Sequence, residues 1–265
     1  MKIITQNEFD QFQRDEDGIK RCPFGDYSQI KFFNRACEFD EGCYFGEHSI
    51  FDKFCIFGKH CSFGENCIFE DYCHFNDYCI FHNKQKFGSE CVFGKGCTFR
   101  NSCSFGYSCV FDSYCTFGKY CNFGASCKYQ SGCNFDSNCS FLESSYFNGY
   151  CIFGDCCTFG HCCTFKSHCS FKEWYDFGQN CRFSSHCNCE FGEFSDMLSV
   201  SGFGSAGRAT YFFLLTEKRI YVRCGCFSGS LEEWEEKVSE THGDTNIAHA
   251  YLALIPAVKL QFGID

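Results

Sequence analysis

Between residues 27 and 187 the apolar positions recur with a period of six, without an insertion or a deletion. Counting in sixes from 27 to 183, the residue is Phe in 25 of 27 cases, the exceptions being Tyr27 and Tyr129. A second register, two residues before each of these positions, runs from 37 to 187 and is Cys in 22 of 26 cases, with Ser49, Gln85, Ser145 and Tyr175 as exceptions. Two inward residues separated by one outward residue describe an extended strand, because side chains alternate across a strand with period two. The residue after Phe is commonly Gly, as at 58, 64 and 118, or Asp or Asn, as at 52, 76 and 112. These types tolerate positive φ, so a turn is expected directly after each strand. A strand and a corner every six residues predict a coil whose flat faces pair with the coils above and below. Within it, Lys84-Gln85-Lys86 is read as a local loosening, and Trp174 and Tyr175 as markers of the far end.

After Cys187 the beat breaks. Arg208 to Leu215 and Arg219 to Cys224 read as a β-hairpin joined at Thr216-Glu217-Lys218. Ser230-Leu231-Glu232-Glu233 fits a capping box that opens a helix burying Leu231, Trp234 and Val238 and stopping at Gly243. A second helix is expected after Asp244, with Ile247, Tyr251, Leu254, Val258 and Phe262 on one face and a kink at Pro256. The predicted organisation is an N-terminal cap (1–24), a hexapeptide-repeat β-helix (25–192) and an α+β module (193–265) able to cover the open last coil.

Written from the phenylalanine, the unit is F-G-x-x-C-x, as in Phe63-Gly64-Glu65-Asn66-Cys67-Ile68. This resembles the hexapeptide repeat of left-handed parallel β-helix proteins, with Phe in place of the large aliphatic residue and Cys in place of the small one. The resemblance implies a left-handed, triangular coil of 18 residues. The 27 hexads then make about nine coils, on the order of 43 Å long at roughly 4.8 Å per coil. The fold expected is therefore an all-β solenoid carrying a small α+β domain of a β-hairpin plus two helices. The Cys/Phe solenoid, with its GCFSGS and ETHGD segments, also looks like uncharacterised proteins encoded in bacterial prophages.

Composition narrows the chemistry. The chain has 265 residues with Phe 37 and Cys 28, and a net charge of -10 that is spread along it. Nucleic acid and anionic membranes need a basic surface, so neither is expected as a direct partner. The first residues lack the apolar core of a signal peptide and no run reaches membrane-span length, so a cytoplasmic protein with reduced thiols is expected. The register cysteines are read as packing: a core of fixed width filled by large Phe and small Cys. Disulfides between stacked residues 18 apart and thiolate metal storage are the alternatives weighed. No cofactor is expected.

With three faces, one carries two outward columns free of Asp, Glu, Lys and Arg. The first is Gly42, His60, Tyr78, Gly96, Tyr114, Gly132, Tyr150, His168 and His186; its companion is Tyr44, Ser62, Ile80, Thr98, Thr116, Asn134, Ile152, Ser170 and Asn188. Interface cores are depleted in charge and enriched in Tyr. Tyr44, His60, Tyr78, Ile80, Tyr114, Thr116, Tyr150, Ile152 and His168 are accordingly the candidate contact residues, for another protein or for a second copy in a homo-oligomer. Outward strand positions favour aromatic and β-branched residues in any case. Cys224 and Cys226 with His242 and His249 are the candidate metal ligands. The G-x-G-x-x-G run at 202–207 is followed by a strand pattern where a phosphate site would have a helix. The β-helix resemblance also implies an acyltransferase alternative using a surface histidine among His60, His74, His82, His168 and His186, although the unbroken register leaves no loop for a cleft. Ice binding would resemble rows of Thr-x-Thr, and a DNA mimic needs an acidic stripe. The reading left is a non-enzymatic structural or protein-interaction scaffold.

Overall fold

In a computed structural model, which describes residues 1–184, 186–202 and 209–264, the repeat forms a parallel β-solenoid of about nine turns. Its strands fall into three sheets. Sheet I runs from Tyr44–Phe45 to Cys187–Cys189, sheet II from Lys20–Cys22 to Arg182–Phe183, and sheet III from Phe32–Phe33 to Asp176–Phe177. Each strand pairs in parallel with the one 18 residues later, as in Thr98↔Thr116 and Phe99↔Phe117.

The core is one continuous cluster of the inward Phe and Cys. Phenylalanines 18 apart stack nearly parallel: Phe117 lies 4.9 Å from Phe99 at 3° and 4.7 Å from Phe135 at 4°. Successive strands of a coil meet edge to face, as Phe111 and Phe117 do at 5.1 Å and 85°. Each aromatic pair adds about 0.5–1.5 kcal/mol beyond burial, so the large residue of the hexad gains from being aromatic.

The corners differ from expectation. Gly46, Gly58 and Gly64 do not take positive φ; the left-handed residue comes two positions later, just before Cys, and is mostly not glycine. His60 (φ 59), Asn66 (φ 58) and Tyr72 (φ 62) are examples. The conformation aims an amide at the next coil: His60 N–H donates to Asp77 O at 3.0 Å and Asn66 N–H to Asn83 O at 3.1 Å. That bond offsets a conformational cost of about 1–2 kcal/mol per residue. The glycine after Phe answers to space instead, since a Cβ on Gly58 would lie 2.5 Å from Glu41 N and 2.6 Å from Asp40 C in the coil below. Acidic and amide side chains at the corners accept the next free amide; Asp77 Oδ1 takes Lys95 N–H at 3.0 Å and Asn101 Oδ1 takes Lys119 N–H at 2.9 Å. No loosening occurs at Lys84-Gln85-Lys86, where Lys86–Phe87 pairs in register on both sides and Gln85 is fully buried.

Both ends of the core are covered. At the N-terminal end helix α1 (Gln6–Gln11), opened by a Thr5/Glu8 capping box, sets Phe9 edge to face on Phe33 at 5.2 Å. At the other end sheet I turns antiparallel through strand β1 (Gly192–Val200), followed by β2 (Thr210–Leu215), β3 (Ile220–Cys224) and β4 (Phe227–Ser230). The expected hairpin is present as β2 and β3, and β1 and β4 widen it to a four-stranded extension. Its Phe194 packs on Phe183 at 5.2 Å, Phe213 lies 6.2 Å from Tyr175, and Arg223 sits over the Tyr175 ring at 4.7 Å. Helix α2 (Leu231–His242) has the expected Ser230/Glu233 capping box and buries Leu231, Trp234 and Val238.

The second predicted helix is two: α3 (Asn246–Leu252) and α4 (Leu254–Phe262), divided at Ala253. Pro256 has no N–H to donate and its ring opposes the carbonyl four residues back, that of Leu252. The chain restarts at Leu254, which puts Pro256 in a first turn where no donor is needed. Ile247, expected on the buried face, is exposed, and Ala248 is buried in its place. Residues 203–207 of the glycine run lie outside the described residues. No helix among the described residues is long and apolar enough to cross a membrane.

Candidate interaction surface

The two columns chosen from sequence lie side by side on the outside of sheet I, but they are different structures. Tyr44, Ser62, Ile80, Thr98, Thr116, Asn134, Ile152, Ser170 and Asn188 are true strand positions, paired in unbroken register. The His60 and Tyr78 column is the left-handed corner residue of each coil, with φ from 59 at His60 to 76 at Gly132. It forms a ridge along the edge of the sheet.

The ridge is a ladder of planar side chains. His60 stacks on Tyr78 at 5.3 Å, Tyr150 on His168 at 4.7 Å, and His168 on His186 at 5.3 Å. His186 ends the run in a contact with Glu193. The two inner glycines of the column have a steric cause. Tyr78 leans over Gly96 and Tyr114 over Gly132, so close that a Cβ would come 2.7 and 2.8 Å from the rings. Tyr78, Tyr114 and Tyr150 nonetheless stay 44%, 60% and 62% exposed, a large aromatic area on one surface.

Beside the ridge Ile80 and Ile152 are exposed and the Thr98 and Thr116 hydroxyls meet at 3.3 Å. The far edge of the same face holds a groove of about 620 Å³, lined by Thr116, Asn134 and Ile152 on the strands and by Arg100, Asp136 and Lys172 at the corner. The uncharged columns therefore have a charged border at this corner. Arg100, Asp136 and Lys172 form no ion pair among the described residues.

The cysteines do more than fill space. All 28 are free, and 24 are buried. From Cys55 onward each register thiol donates to the carbonyl of the residue that follows the inward aromatic one coil below, 21 positions earlier: Cys61 to Asp40 O at 3.4 Å, Cys79 to Gly58 O at 3.4 Å, Cys115 to Gly94 O at 3.4 Å. The Gln and Ser exceptions keep a donor to a backbone carbonyl, whereas the buried Tyr175 hydroxyl has no partner among the described residues. Gln85 Nε2 reaches Gly64 O at 2.7 Å, and Ser49 Oγ reaches Gly46 O at 2.9 Å and Ile30 O at 3.3 Å. A small buried residue that also supplies a donor is what this corner requires. Burial pushes the Cys67 thiol up to about 11. Hydrogen bonding to thiols one coil above and below, and then burial, raise Cys79, Cys115 and Cys151 much further. The same bonds lower their partners Cys61, Cys97 and Cys133, but nucleophilic or metal chemistry needs an accessible thiolate, and every one of these thiols is buried.

Of the candidate metal ligands, Cys224, Cys226 and His242 do line one pocket of about 250 Å³ with Trp234, Val238 and Tyr251. His249 is drawn elsewhere, its Nε2 lying 2.7 Å from Asp244 Oδ1. Among the described residues no group of three or more His, Cys, Asp or Glu is placed to hold a metal ion. Cys224 instead accepts a hydrogen bond from the buried Thr210 hydroxyl at 3.2 Å. The histidines considered for acyl transfer are divided between corners and strands: His60, His168 and His186 stand on the ridge, His74 on the outside of sheet II and His82 at the corner after sheet I.

Sequence reasoning missed Arg100, Asp136 and Lys172 as parts of the surface. They stand two residues after the outward strand position, and reading that third column in steps of 18 would have found them. No family model matches the chain, and no curated protein or solved structure compared with it does either.

Proposed function

We propose that the protein is a non-enzymatic scaffold that presents the outer face of sheet I and its aromatic ridge to protein, in keeping with the phage-encoded solenoids that its hexads resemble. The observation that carries the reading is the exposed aromatic ridge of Tyr78, Tyr114, Tyr150 and His168, the last two stacked, beside Ile80 and Ile152, with no charged side chain in either column. Such a surface matches the core of a protein interface, while the charged border supplies a polar rim. The free thiols fit a reducing compartment.

The test compares the wild type with Tyr78→Asp and Tyr114→Asp by sedimentation, alongside acetyl-CoA titration by calorimetry. A complex lost in both variants, with no heat from acetyl-CoA, is expected. A monomer indifferent to both substitutions, together with saturable acetyl-CoA binding, would overturn the reading in favour of an acyltransferase.

A further inference from the structure

Read from one end to the other, the two outward columns of sheet I are nearly the same as when read backwards. Around Tyr114 the ridge runs Gly96 and Gly132, then Tyr78 and Tyr150, then His60 and His168. Around Thr116, in the same coil, the strand column runs Thr98 and Asn134, then Ile80 and Ile152, then Ser62 and Ser170. The match breaks at Thr98 against Asn134 and at the terminal coils, with Gly42 against His186 and Tyr44 against Asn188. The other sheets lack it. About its central Val110 sheet II sets Val92 against Lys128 and Ile56 against Thr164, and about Ser104 sheet III sets Lys86 against Asn122 and Ile68 against Ser140.

The third column of the face, on the groove side, behaves differently and more tellingly. Around Gly118, again in the same coil, Arg100 stands one step to one side and Asp136 one step to the other. A two-fold axis lying in the plane of the face, perpendicular to the solenoid and over this coil, would lay each column on itself in reverse. Ile80 would then meet Ile152 of the second copy, and Arg100 would meet Asp136 twice over, once in each direction. Like charges directly opposed would disfavour the contact; here the only opposed charged pair of the three columns is of opposite sign.

Tyr114 leans over its own Gly132, toward the C-terminal end, as Tyr78 leans over Gly96. In an antiparallel pair the two Tyr114 rings therefore lean apart, and each faces the Tyr78 ring that covers Gly96 of the other copy, so aromatic meets aromatic on both sides of the axis. The face measures about 38 Å by about 15 Å, so the two copies would cover roughly 1,200 Å² in total, at the lower edge of stable specific interfaces.

We infer that the protein forms an antiparallel homodimer through the outer face of sheet I, its two-fold axis passing over Tyr114, Thr116 and Gly118. The inference rests on the scaffold reading and adds the partner and the geometry. Charge exchange tests it, read by sedimentation equilibrium. Arg100→Asp and Asp136→Arg should each raise the dimer dissociation constant at least about tenfold, and the double variant should bring it back, which unfolding cannot do. In a background of Cys156→Ser, Cys162→Ser and Cys226→Ser, Thr116→Cys should crosslink to itself under mild oxidation, because it lies on the axis. Thr98→Cys should not, because it faces Asn134 of the other copy.

A dimer lost in Tyr114→Asp but unmoved by Arg100→Asp, or not restored in the double variant, overturns this geometry and leaves the scaffold reading intact. A monomer at every concentration overturns the dimer, and the acetyl-CoA titration then decides the fate of the scaffold reading separately.

Discussion

In the solenoid a residue's neighbours are copies of itself. Phe117 stacks between Phe99 and Phe135, and Cys115 donates to Gly94 O as Cys97 donates to Asn76 O. In the carboxy-terminal unit no environment recurs: Trp234 meets Phe212 at 5.4 Å and Tyr251 at 5.7 Å, and Ser230 and Glu233 cap one helix once. A repeated environment tolerates only residues that repeat its function, whereas a unique one is judged by its own contacts. Hence 24 thiols share one buried role in the solenoid and its first following strand residues, while Cys224 and Cys226 in the unit are half-buried and exposed.

The largest effect expected from this contrast is in thiol reactivity. A neutral-pH thiol reagent should modify Cys156, Cys162 and Cys226 rapidly and Cys224 more slowly in the native protein, and all 28 in denaturant. Peptide mapping by mass spectrometry reads the sites. Fast modification of register thiols such as Cys79 or Cys115 without denaturant would break the view of the core as closed.

Next in size is the removal of the shared donor where the repeat already departs from cysteine. Gln85 Nε2 serves Gly64 O, His82 O and Asn83 O, while its Oε1 is buried without a partner. Gln85→Ala should cost about 2–4 kcal/mol in urea unfolding, combining a cavity with carbonyls left unpaired. Gln85→Cys restores the repeat's own donor and removes the orphaned oxygen, so it should lie within about 1 kcal/mol of the wild type. Equal losses for Ala and Cys would mean that volume alone matters at this position.

The same contrast explains what could be read from the chain. Parallel sheets and the inward Phe and Cys follow from a period of six and a spacing of two, because alternation across a strand is local geometry, whereas the count of about nine coils needs the three faces that the hexapeptide resemblance implies. The capping box at Ser230 is local as well. What was not legible depends on the coil below. The acceptor of Cys79 is Gly58 O, 21 residues away, so the thiol's donor role has no mark in the hexad. Propensity places positive φ on Gly58, yet the solenoid places it on His60, where the amide must point to the next coil. For the same reason the Tyr78 column was taken for part of a flat face when it is a corner ridge. The break at Ala253 was displaced from Pro256 because proline acts on the carbonyl before it.

The smallest expected effect sharpens that point at two glycines. At Gly58 a new Cβ would meet only backbone of the coil below, Glu41 N at 2.5 Å, Asp40 C at 2.6 Å and Glu41 Cα at 2.8 Å. None of these atoms can turn aside, so the coils must part, and Gly58→Ala should cost about 1–3 kcal/mol. Gly96 has φ +68, the region in which its column neighbours Tyr78 and Tyr114 already carry side chains, and its Cβ would meet only the Tyr78 ring at 2.7 Å. That ring is exposed and can swing outward, so Gly96→Ala should cost only about 1 kcal/mol. If positive φ were what the repeat's glycines supply, the order would reverse. Paired urea titrations of the two variants therefore decide whether glycine follows Phe for its backbone freedom or, as the coil spacing argues, because two backbones pass there with no room for a side chain between them.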